Sequence, residues 1–372
     1  MIHICNNYVS SRVHCNLVEA LAFSGPQTVI VPVRKSKHVG INRLALKDVV
    51  VDYVRYPALL LRFFPLIKTF VVFLLCCKKI FLALQQQKRA AKGASLCVAH
   101  NLWSDGAIAF YASFFFDLRY SLVVRNTDIN VFVPKLPHWR WLIRLMVRRS
   151  EGMIFVSAAH RDRFSVRWPS IYNAAKKVSV IPNGVDSFWI ESAGNYVGER
   201  PLQVAYVGRF DENKNLRNLL LACEGIAESE PDFRLVLAGG EARELKRVAR
   251  VDTIPSFVDL AGVVTSRHVL QSLYRSSRCF AMPSFRETFG LVYIEALSQG
   301  CALVCTKSEG VDGLFSSDMV LSVDPYSPTE IRKAIKSCLV RNARGAPHRW
   351  VCGELQRFSW DRVAREYMRF FV

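Results

Sequence analysis

The 372-residue chain lacks the cysteine patterns of disulfide scaffolds and zinc ribbons. Its 11 cysteines are scattered without any C-x-x-C pair, and no histidines bracket the closest ones, Cys76-Cys77 and Cys301 with Cys305, at zinc spacing. We therefore expect reduced thiols in a cytosol, mostly serving as small core residues. The first eight residues have no basic stretch followed by an apolar core, so we expect no signal peptide.

Acidic residues are scarce in the first half. Residues 1–200 hold 27 Lys and Arg against 11 Asp and Glu, a net charge of +16, whereas residues 201–372 hold 23 against 20, a net charge of +3. No acidic residue occurs from Tyr53 to Ser104. This basic field predicts an anionic partner: a membrane surface, a phosphorylated lipid or a nucleic acid. We favour a membrane and expect no nucleic acid, because the segment lacks the interleaved Arg and aromatic residues of a base-stacking surface.

A long apolar run is also missing. Tyr56–Leu84 is the most apolar segment, yet its uninterrupted part, Thr69–Cys77, is far shorter than the roughly 20 residues that span a bilayer. The segment suits the membrane interface, or else a core helix under a basic surface. We expect a cytoplasmic protein that is peripheral on the inner face of the plasma membrane. The flanking cations are Arg62, Lys68, Lys78 and Lys79.

The chain does contain a regular alternation of predicted β-strands and α-helices. Its length predicts two domains, and 51% apolar residues are enough for two cores. Short apolar strands alternate with helical patterns, which predicts βαβ units and parallel sheets. After a first apolar strand, the predicted strands are Thr28–Val33, Ser95–Ala99, Tyr120–Val124, Gly152–Val156, Val178–Ile181, Leu202–Val207, Arg234–Ala238, Arg278–Met282 and Ala302–Cys305.

The domain boundary is predicted at the turn Ile181-Pro-Asn-Gly-Val-Asp186. We expect an N-terminal domain at residues 1–183 and a C-terminal domain at 184–358. Residues 359–372 carry apolar side chains at helical spacing, which predicts a last helix. That helix packs either in its own domain or, as we expect, back on the first domain.

Two segments of the second half have the residue pattern expected of a nucleotide-binding site. The strand Val204–Val207 ends at Gly208 and Arg209, and Lys214 precedes a predicted helix that starts near Leu216. A strand–loop–helix turn directs free backbone N–H groups at a crevice where phosphate can bind, and two cations suit a diphosphate. Solvated surface cations are the plainer alternative for this segment alone.

The second segment is Pro283–Gly300. Its predicted helix, from about Gly290, is apolar on every side except at Glu295, so this carboxylate should be buried and need hydrogen-bond donors. Sugar hydroxyls are suitable donors. Glu287 lies eight positions earlier in a loop, so the two carboxylates can hold separate parts of one ligand; two structural glutamates are the alternative.

The frame P-S-x-x-E-x-F-G-x-x-x-x-E-A, preceded by Arg209 and Lys214, resembles the retaining family 4 glycosyltransferases of the GT-B fold. The turn at 181–186 and Phe358-Ser-Trp-Asp361 are similar to that family's domain junction and terminal helix start. The likeness is strong over residues 178–372. In the first half, Ala99–Gly106 and Val124–Asn130 look more loosely like bacterial capsule and exopolysaccharide members. The resemblance implies an α/β chain with two Rossmann-like domains facing across a cleft.

The resemblance also implies roles for individual residues. Arg209 and Lys214 would bind the donor diphosphate beside Gly208, Glu287 would contact the donor sugar, and Glu295 would accept from the ribose hydroxyls. The backbone of Thr288, Phe289, Gly290 and Leu291 would bind phosphate at a helix start.

On the acceptor side, Ser10 and Ser11 stand where the family has glycine. Where many relatives carry a histidine this chain has Arg125-Asn126-Thr127-Asp128, so Asp128 or Asn126 would orient the acceptor, with Asp105 nearby. His100 is a second catalytic candidate.

The function implied is transfer, with retention, from a nucleotide-diphosphate sugar to a glycan or polyprenyl-diphosphate-linked acceptor in cell-surface polysaccharide synthesis. No D-x-D motif occurs, so we expect neither metal nor cofactor, and fixed cations would stabilise the leaving group. The alternatives are an epimerase or phosphorylase of the same fold, and a non-catalytic scaffold that binds membrane or nucleic acid.

Overall fold

The computed structural model describes residues 1–57, 64–90, 95–193, 199–343 and 353–371. The chain divides into two compact units. The first comprises Met1–Val156, His160–Gly184 and Trp360–Val372, and the second comprises Ser157–Ala159 and Val185–Ser359. Arg62, one of the cations expected at a membrane, lies outside the described residues.

The first unit is built on a parallel sheet in the order β3-β2-β1-β4-β5-β6-β7. Its strands are β1 (Ile2–Ile4), β2 (Gln27–Val33), β3 (Val49–Arg55), β4 (Ser95–Ala99), β5 (Leu118–Val124), β6 (Gly152–Phe155) and β7 (Val178–Val180). Its helices are α1 (Arg12–Leu21), α2 (Pro65–Ala90), α3 (Ser104–Phe115), α4 (Val133–Lys135), α5 (Arg140–Arg149), α6 (Ala158–Arg167, whose first turn is grouped with the second unit) and α7 (Pro169–Tyr172).

The second unit has a parallel sheet in the order β10-β9-β8-β11-β12-β13. Its strands are β8 (Gln203–Val207), β9 (Arg234–Ala238), β10 (Val258–Gly262), β11 (Cys279–Ala281), β12 (Ala302–Thr306) and β13 (Val320–Val323). Its helices are α8 (Ser187–Glu191), α9 (Leu216–Ala227), α10 (Ala242–Ala249), α11 (Arg267–Arg275), α12 (Leu291–Ser298) and α13 (Pro328–Arg341).

The last helix, α14 (Trp360–Phe370), lies in the first unit. Its buried residues Val363, Ala364 and Tyr367 share an apolar cluster with Leu17 and Leu21 of α1. The spacing of three and four residues gives α14 one apolar face, and that face covers α1 and the sheet.

Helix α2 has one buried and one exposed apolar face. Val72, Phe73, Cys76 and Ile80 are buried in the core of the first unit. The opposite face exposes about half of each of its large apolar side chains, which are Ile67, Phe70, Leu74, Leu75, Phe81 and Leu82. Among the described residues, no helix has the length and apolarity that crossing a membrane requires.

Candidate functional site

The strand order of the second sheet reverses between β8 and β11, because β9 and β10 are added on one side of β8 while β11, β12 and β13 are added on the other. Ligands of open α/β sheets bind outside the carboxyl ends of the strands at such a switch point. Residues 208–215 follow β8, and residues 282–290 follow β11. The structure thus brings both nucleotide-type segments of the sequence to one position in one unit.

Backbone and asparagine groups fasten these two loops together. The Phe285 N–H donates to the Asn213 carbonyl at 2.8 Å, and the Asn213 side chain donates to the Arg286 carbonyl at 2.8 Å. Asn215, buried at φ 56°, donates to the carbonyls of Pro283 and Pro325 at 2.9 and 2.7 Å. The loops therefore form one supported platform rather than two independent segments.

The central contact of this platform joins Lys214 and Glu287. Lys214 Nζ lies 2.6 Å from Glu287 Oε2, and the side chains are only 17% and 13% exposed. The other carboxylate oxygen, Oε1, accepts from the Thr288 N–H at 3.1 Å. The predicted cation and the predicted sugar-binding carboxylate thus form a charge-assisted pair with fixed geometry.

Arg209 has a different environment. Its side chain is 88% exposed, and its guanidinium lies 3.7 Å from the Asp211 carboxylate, which is a weak surface pair. The neighbouring Gly208 packs closely on Gly239, where a Cβ atom would lie 2.3 Å from the Gly208 carbonyl oxygen. The backbone beside Arg209 is therefore fixed, while its cation extends into solvent.

The start of α12 lacks a side-chain cap, and the Tyr293 N–H donates to the Gly290 carbonyl at 3.0 Å. Its N-cap is Gly290, in the left-handed region at φ 76°, and no side chain caps the first N–H groups. A Cβ atom at Gly290 would lie 2.5 Å from the Tyr293 ring. Phe289 anchors the turn in the core, and Leu291 and Val292 follow it. A helix start of this kind binds anions through its backbone.

Glu295 lies on α12 in a largely apolar surrounding. Burial raises its pKa from 4.5 to about 7, with a hydrogen bond from Tyr274 opposing the rise and Asp186 adding to it. The Tyr274 hydroxyl donates to Glu295 Oε2 at 3.3 Å. Sequence reasoning missed Tyr274, which looks like one more apolar position of α11, and it missed buried Glu309, whose Oε2 accepts from the Glu287 N–H at 2.9 Å.

The first sheet has its own switch point between β1 and β4. Asp105 lies there, fully buried, and accepts from the Asn6 N–H at 3.2 and 3.3 Å and from Asn101 Nδ2 at 2.9 Å. Asn6 Nδ2 donates to Ser104 Oγ at 2.6 Å. Burial holds the pKa of Asp105 well above its usual range.

Asp128 is occupied by backbone groups. Its oxygens accept from the N–H groups of Leu102, Trp103 and Arg125 at 3.1, 3.2 and 2.9 Å, and burial raises its pKa to about 6. These bonds give the carboxylate a loop-holding position. Asn126 is half-buried, and its side-chain oxygen lies against Asn130 Nδ2.

His100 and the two serines complete the expected residues of the first unit. His100 is buried, with Nε2 3.0 Å from His3 Nδ1, and burial holds its pKa well below the usual range. Ser11 caps α1 by accepting from the Val13 N–H at 3.3 Å. Ser10 is exposed and donates to the Asn7 carbonyl at 2.7 Å.

The two parallel sheets, each with its own switch point, define two Rossmann-like units. A protein built from two such units has the GT-B architecture. Sucrose-phosphate synthase from Thermosynechococcus elongatus shares this fold with a TM-score of 0.68 and 18% identity, over 100% of this chain and 97% of that one.

Residues 188–351 match the family model described as "Glycosyl transferases group 1". Glycogen synthase of Mycobacterium tuberculosis is 26% identical over 229 residues, which are 59% of this chain and 53% of the relative. Phosphatidyl-myo-inositol mannosyltransferase of the same organism is 27% identical over 245 residues, 62% of this chain and 61% of the relative. The chain thus spans somewhat more than half the length of these curated relatives.

Proposed function

We propose that the protein is a retaining glycosyltransferase of the family 4 type that uses a nucleotide-diphosphate sugar bound by the second unit. The observation that carries this proposal is the Lys214–Glu287 pair at the switch point of the second sheet, next to the uncapped start of α12. This arrangement combines a cation, backbone donors and a carboxylate, which match a diphosphate and a sugar. The match of residues 188–351 to group 1 glycosyltransferases supports it.

The leaving group explains why these donors matter. When the bond between sugar and phosphate breaks, negative charge grows on the nucleoside diphosphate and the sugar becomes oxocarbenium-like. Lys214, the exposed Arg209 and the N–H groups of α12 would stabilise this charge as it develops. Because the chain has no D-x-D motif, we assign the task to these protein groups without a metal or cofactor at the diphosphate.

Glu295 would bind the ribose of the donor. Its Oε2 already accepts from Tyr274, and vicinal hydroxyls are suitable partners for the remaining acceptor sites of the carboxylate. A neutral hydroxyl pair also suits a carboxyl group whose pKa is raised to about 7, since no counter-charge is required.

We assign the acceptor to the first unit. A small pocket there is lined by Asn6, Tyr56, Lys68, Ser104 and Asp105, where the switch point of the first sheet meets α2. Lys68 adds a positive charge to this pocket, and the other polar groups that line it can form hydrogen bonds with hydroxyl groups. This lining fits a glycan or polyprenyl-diphosphate-linked acceptor, as used in capsule or exopolysaccharide synthesis.

The exposed face of α2 supports peripheral attachment to the cytoplasmic side of an anionic membrane. Phe70 and Leu74 are 42% and 53% exposed, and Lys78 lies one turn beyond Leu74 on the same face. An exposed apolar helix face next to cations is typical of helices that lie in the headgroup region.

The donor assignment is tested by thermal shift with UDP, GDP, ADP and their sugars. A ligand bound only by the folded state raises the melting temperature. We expect one base to stabilise the wild type and Lys214→Met to lose that shift, while Lys246→Met, at an exposed position of α10, keeps it. If no nucleotide shifts the wild type, or if Lys214→Met responds fully, the donor site is wrong.

The membrane assignment is tested by flotation with phosphatidylglycerol-containing liposomes. Because Lys79 already pairs with Asp52 at 2.8 Å, the sharper variant is Lys68→Glu with Lys78→Glu. Lys35→Glu with Lys37→Glu changes the charge equally at exposed positions of the same unit. We expect only the α2 variant to stop floating; equal flotation of both variants would refute attachment through α2.

A further inference from the structure

We propose that Cys5, His14 and His100 form a binding site for a thiophilic divalent metal, with Zn²⁺ as the expected ion. One ligand atom of each residue lies within 4.8 Å of the other two, and all three residues are buried. They come from the end of β1, from α1 and from the end of β4, so the sheet and its first helix fix their positions. All three residues belong to the first unit, whereas the diphosphate chemistry is proposed for the second unit.

The tautomer of His100 follows from a chain of hydrogen bonds. The Gln27 amide nitrogen donates to the carbonyls of Leu21 and Gly25 at 3.0 and 2.7 Å, so its oxygen faces His3 and accepts from His3 Nε2 at 3.0 Å. His3 Nδ1 is then an acceptor, and His100 Nε2 donates to it at 3.0 Å.

This series of hydrogen bonds leaves the lone pair of His100 Nδ1 without a donor. The atom is buried and has no hydrogen-bond partner within the described ranges. Histidines that bind metal commonly donate their other ring N–H to a neighbouring acceptor, which fixes the ring and its tautomer. The bond from His100 to His3 has that arrangement, and a metal ion would use the lone pair that the protein leaves unused.

His14 and Cys5 supply compatible atoms. His14 Nδ1 lies 3.5 Å from an Arg125 guanidinium nitrogen, which can only donate, so Nδ1 is the acceptor in a contact longer than a normal hydrogen bond, and a metal ion bound there would replace that contact. A cysteine thiol gives up its proton to a metal. One sulfur and two imidazole nitrogens suit Zn²⁺ rather than Mg²⁺ or Ca²⁺, and a water molecule would complete four ligands.

The buried charges around the site accommodate this ion. Asp105 and Arg125 both act electrostatically on Cys5, and Asp128 accepts from the Arg125 N–H at 2.9 Å. A Cys5 thiolate would add negative charge to this buried set. A divalent cation would neutralise this set, whereas a thiolate without the metal would add uncompensated buried charge.

Metal analysis of the protein without an affinity tag tests the proposal. We expect about one zinc per chain after purification, and, after exchange with Co²⁺, a sulfur-to-cobalt charge-transfer band in the near ultraviolet. Cys5→Ser should weaken Zn²⁺ binding by at least the roughly 10- to 100-fold that the loss of an outer-shell partner costs, measured by competition with a chromophoric chelator. Cys15→Ser should bind as the wild type does, since Cys15 lies beside His14 in the sequence but outside the cluster.

Two results would overturn the site. One is a wild-type protein that is folded by circular dichroism yet neither retains zinc nor shows the cobalt band. The other is a Cys5→Ser variant that binds Zn²⁺ as tightly as Cys15→Ser. If Cys5→Ser fails to fold, chelation decides for the wild type: removing the metal should lower its melting temperature and re-adding Zn²⁺ should restore it, and a melting temperature unchanged by both steps refutes the site.

Discussion

Replacing Glu295 by Gln should stabilise the ligand-free second unit at alkaline pH. Burial raises the pKa of Glu295 from 4.5 to about 7, so the folded state holds the proton more tightly than the unfolded chain does. Between pH 4.5 and 7 the folded state binds more protons, and stability therefore falls as the pH rises through this window. Gln stays neutral throughout and can still accept from the Tyr274 hydroxyl.

The size of the effect follows from the two pKa values. At about 1.4 kcal/mol for each tenfold change in the protonation equilibrium, the ionised carboxylate costs the folded state roughly 3 kcal/mol. Glu295→Gln and the wild type should be equally stable near pH 4.5. By pH 8 the variant should be more stable by up to roughly 3 kcal/mol, since ionisation of the wild type is then complete.

Hydrogen exchange of the β11 and α12 amides at pH 5 and pH 8 measures this difference within the second unit. Glu224→Gln, at an exposed position of α9, is the matched control and should follow the wild type at both values. A Glu295→Gln advantage of equal size at pH 5 and pH 8, or a wild type that is more stable at pH 8, would refute the reasoning. The same variant should bind nucleoside diphosphate about 10- to 100-fold more weakly, because hydrogen bonds to a charged group contribute about 1.5–3 kcal/mol.

Three further changes test the same unit. Lys214→Met should lower kcat by about 10²–10³, or roughly 3–4 kcal/mol, because a donor to the growing charge is lost; steady-state kinetics within twofold of the wild type would contradict this. Gly290→Ala should destabilise the unit by about 1–3 kcal/mol in urea unfolding, since φ is 76° and a Cβ atom meets the Tyr293 ring; an unchanged midpoint would speak against that strain. Tyr274→Phe removes the donor to Glu295, so its pKa should rise further and the loss of stability should be larger at pH 8 than at pH 5, with equal losses as the contrary result.

The inner strands of both sheets could be predicted from the sequence, whereas β3, β10 and β13 were missed. All three lie at the edges of their sheets. A strand in the middle of a parallel sheet is covered on both faces and has an unbroken apolar run, as in residues 235–238 of β9. An edge strand keeps polar residues, such as Asp52 in β3 and Asp259 in β10, and these interrupt the pattern.

In the second unit, the sequence predicted those site residues that lie shortly after a predicted strand. Lys214, Glu287 and Glu295 follow strands at recognisable spacing, and the structure places the first two in contact. Tyr274 and Glu309 could not be found in this way. Each reaches its partner from more than 20 residues away, so only the packing of α11 and the loop after β12 brings them there.

For Asp128, the sequence identified the residue but not the backbone groups that it binds. The sequence places a carboxylate after β5, which suits an acceptor-binding role, but two of its three backbone partners, Leu102 and Trp103, belong to the loop after β4. Those N–H groups are identical in any sequence, so no pattern of residue types announces that they will converge on this side chain. A catalytic role for Asp128 therefore remains a prediction, while its contacts are those of a residue that holds a loop.

The switch points of the two sheets differ in how their polar groups are satisfied, and this difference is the physical reason for proposing the donor in the second unit. At the first switch point, Asp105 and Asn6 are bonded to each other and to their neighbours. At the second, the start of α12 has no side-chain cap, and Arg209 is exposed. Exposed or uncapped donors beside a fixed Lys214–Glu287 pair can bind a diphosphate without first breaking internal bonds, whereas a diphosphate at the first switch point would meet the Asp105 carboxyl group, whose oxygens already accept from Asn6 and Asn101.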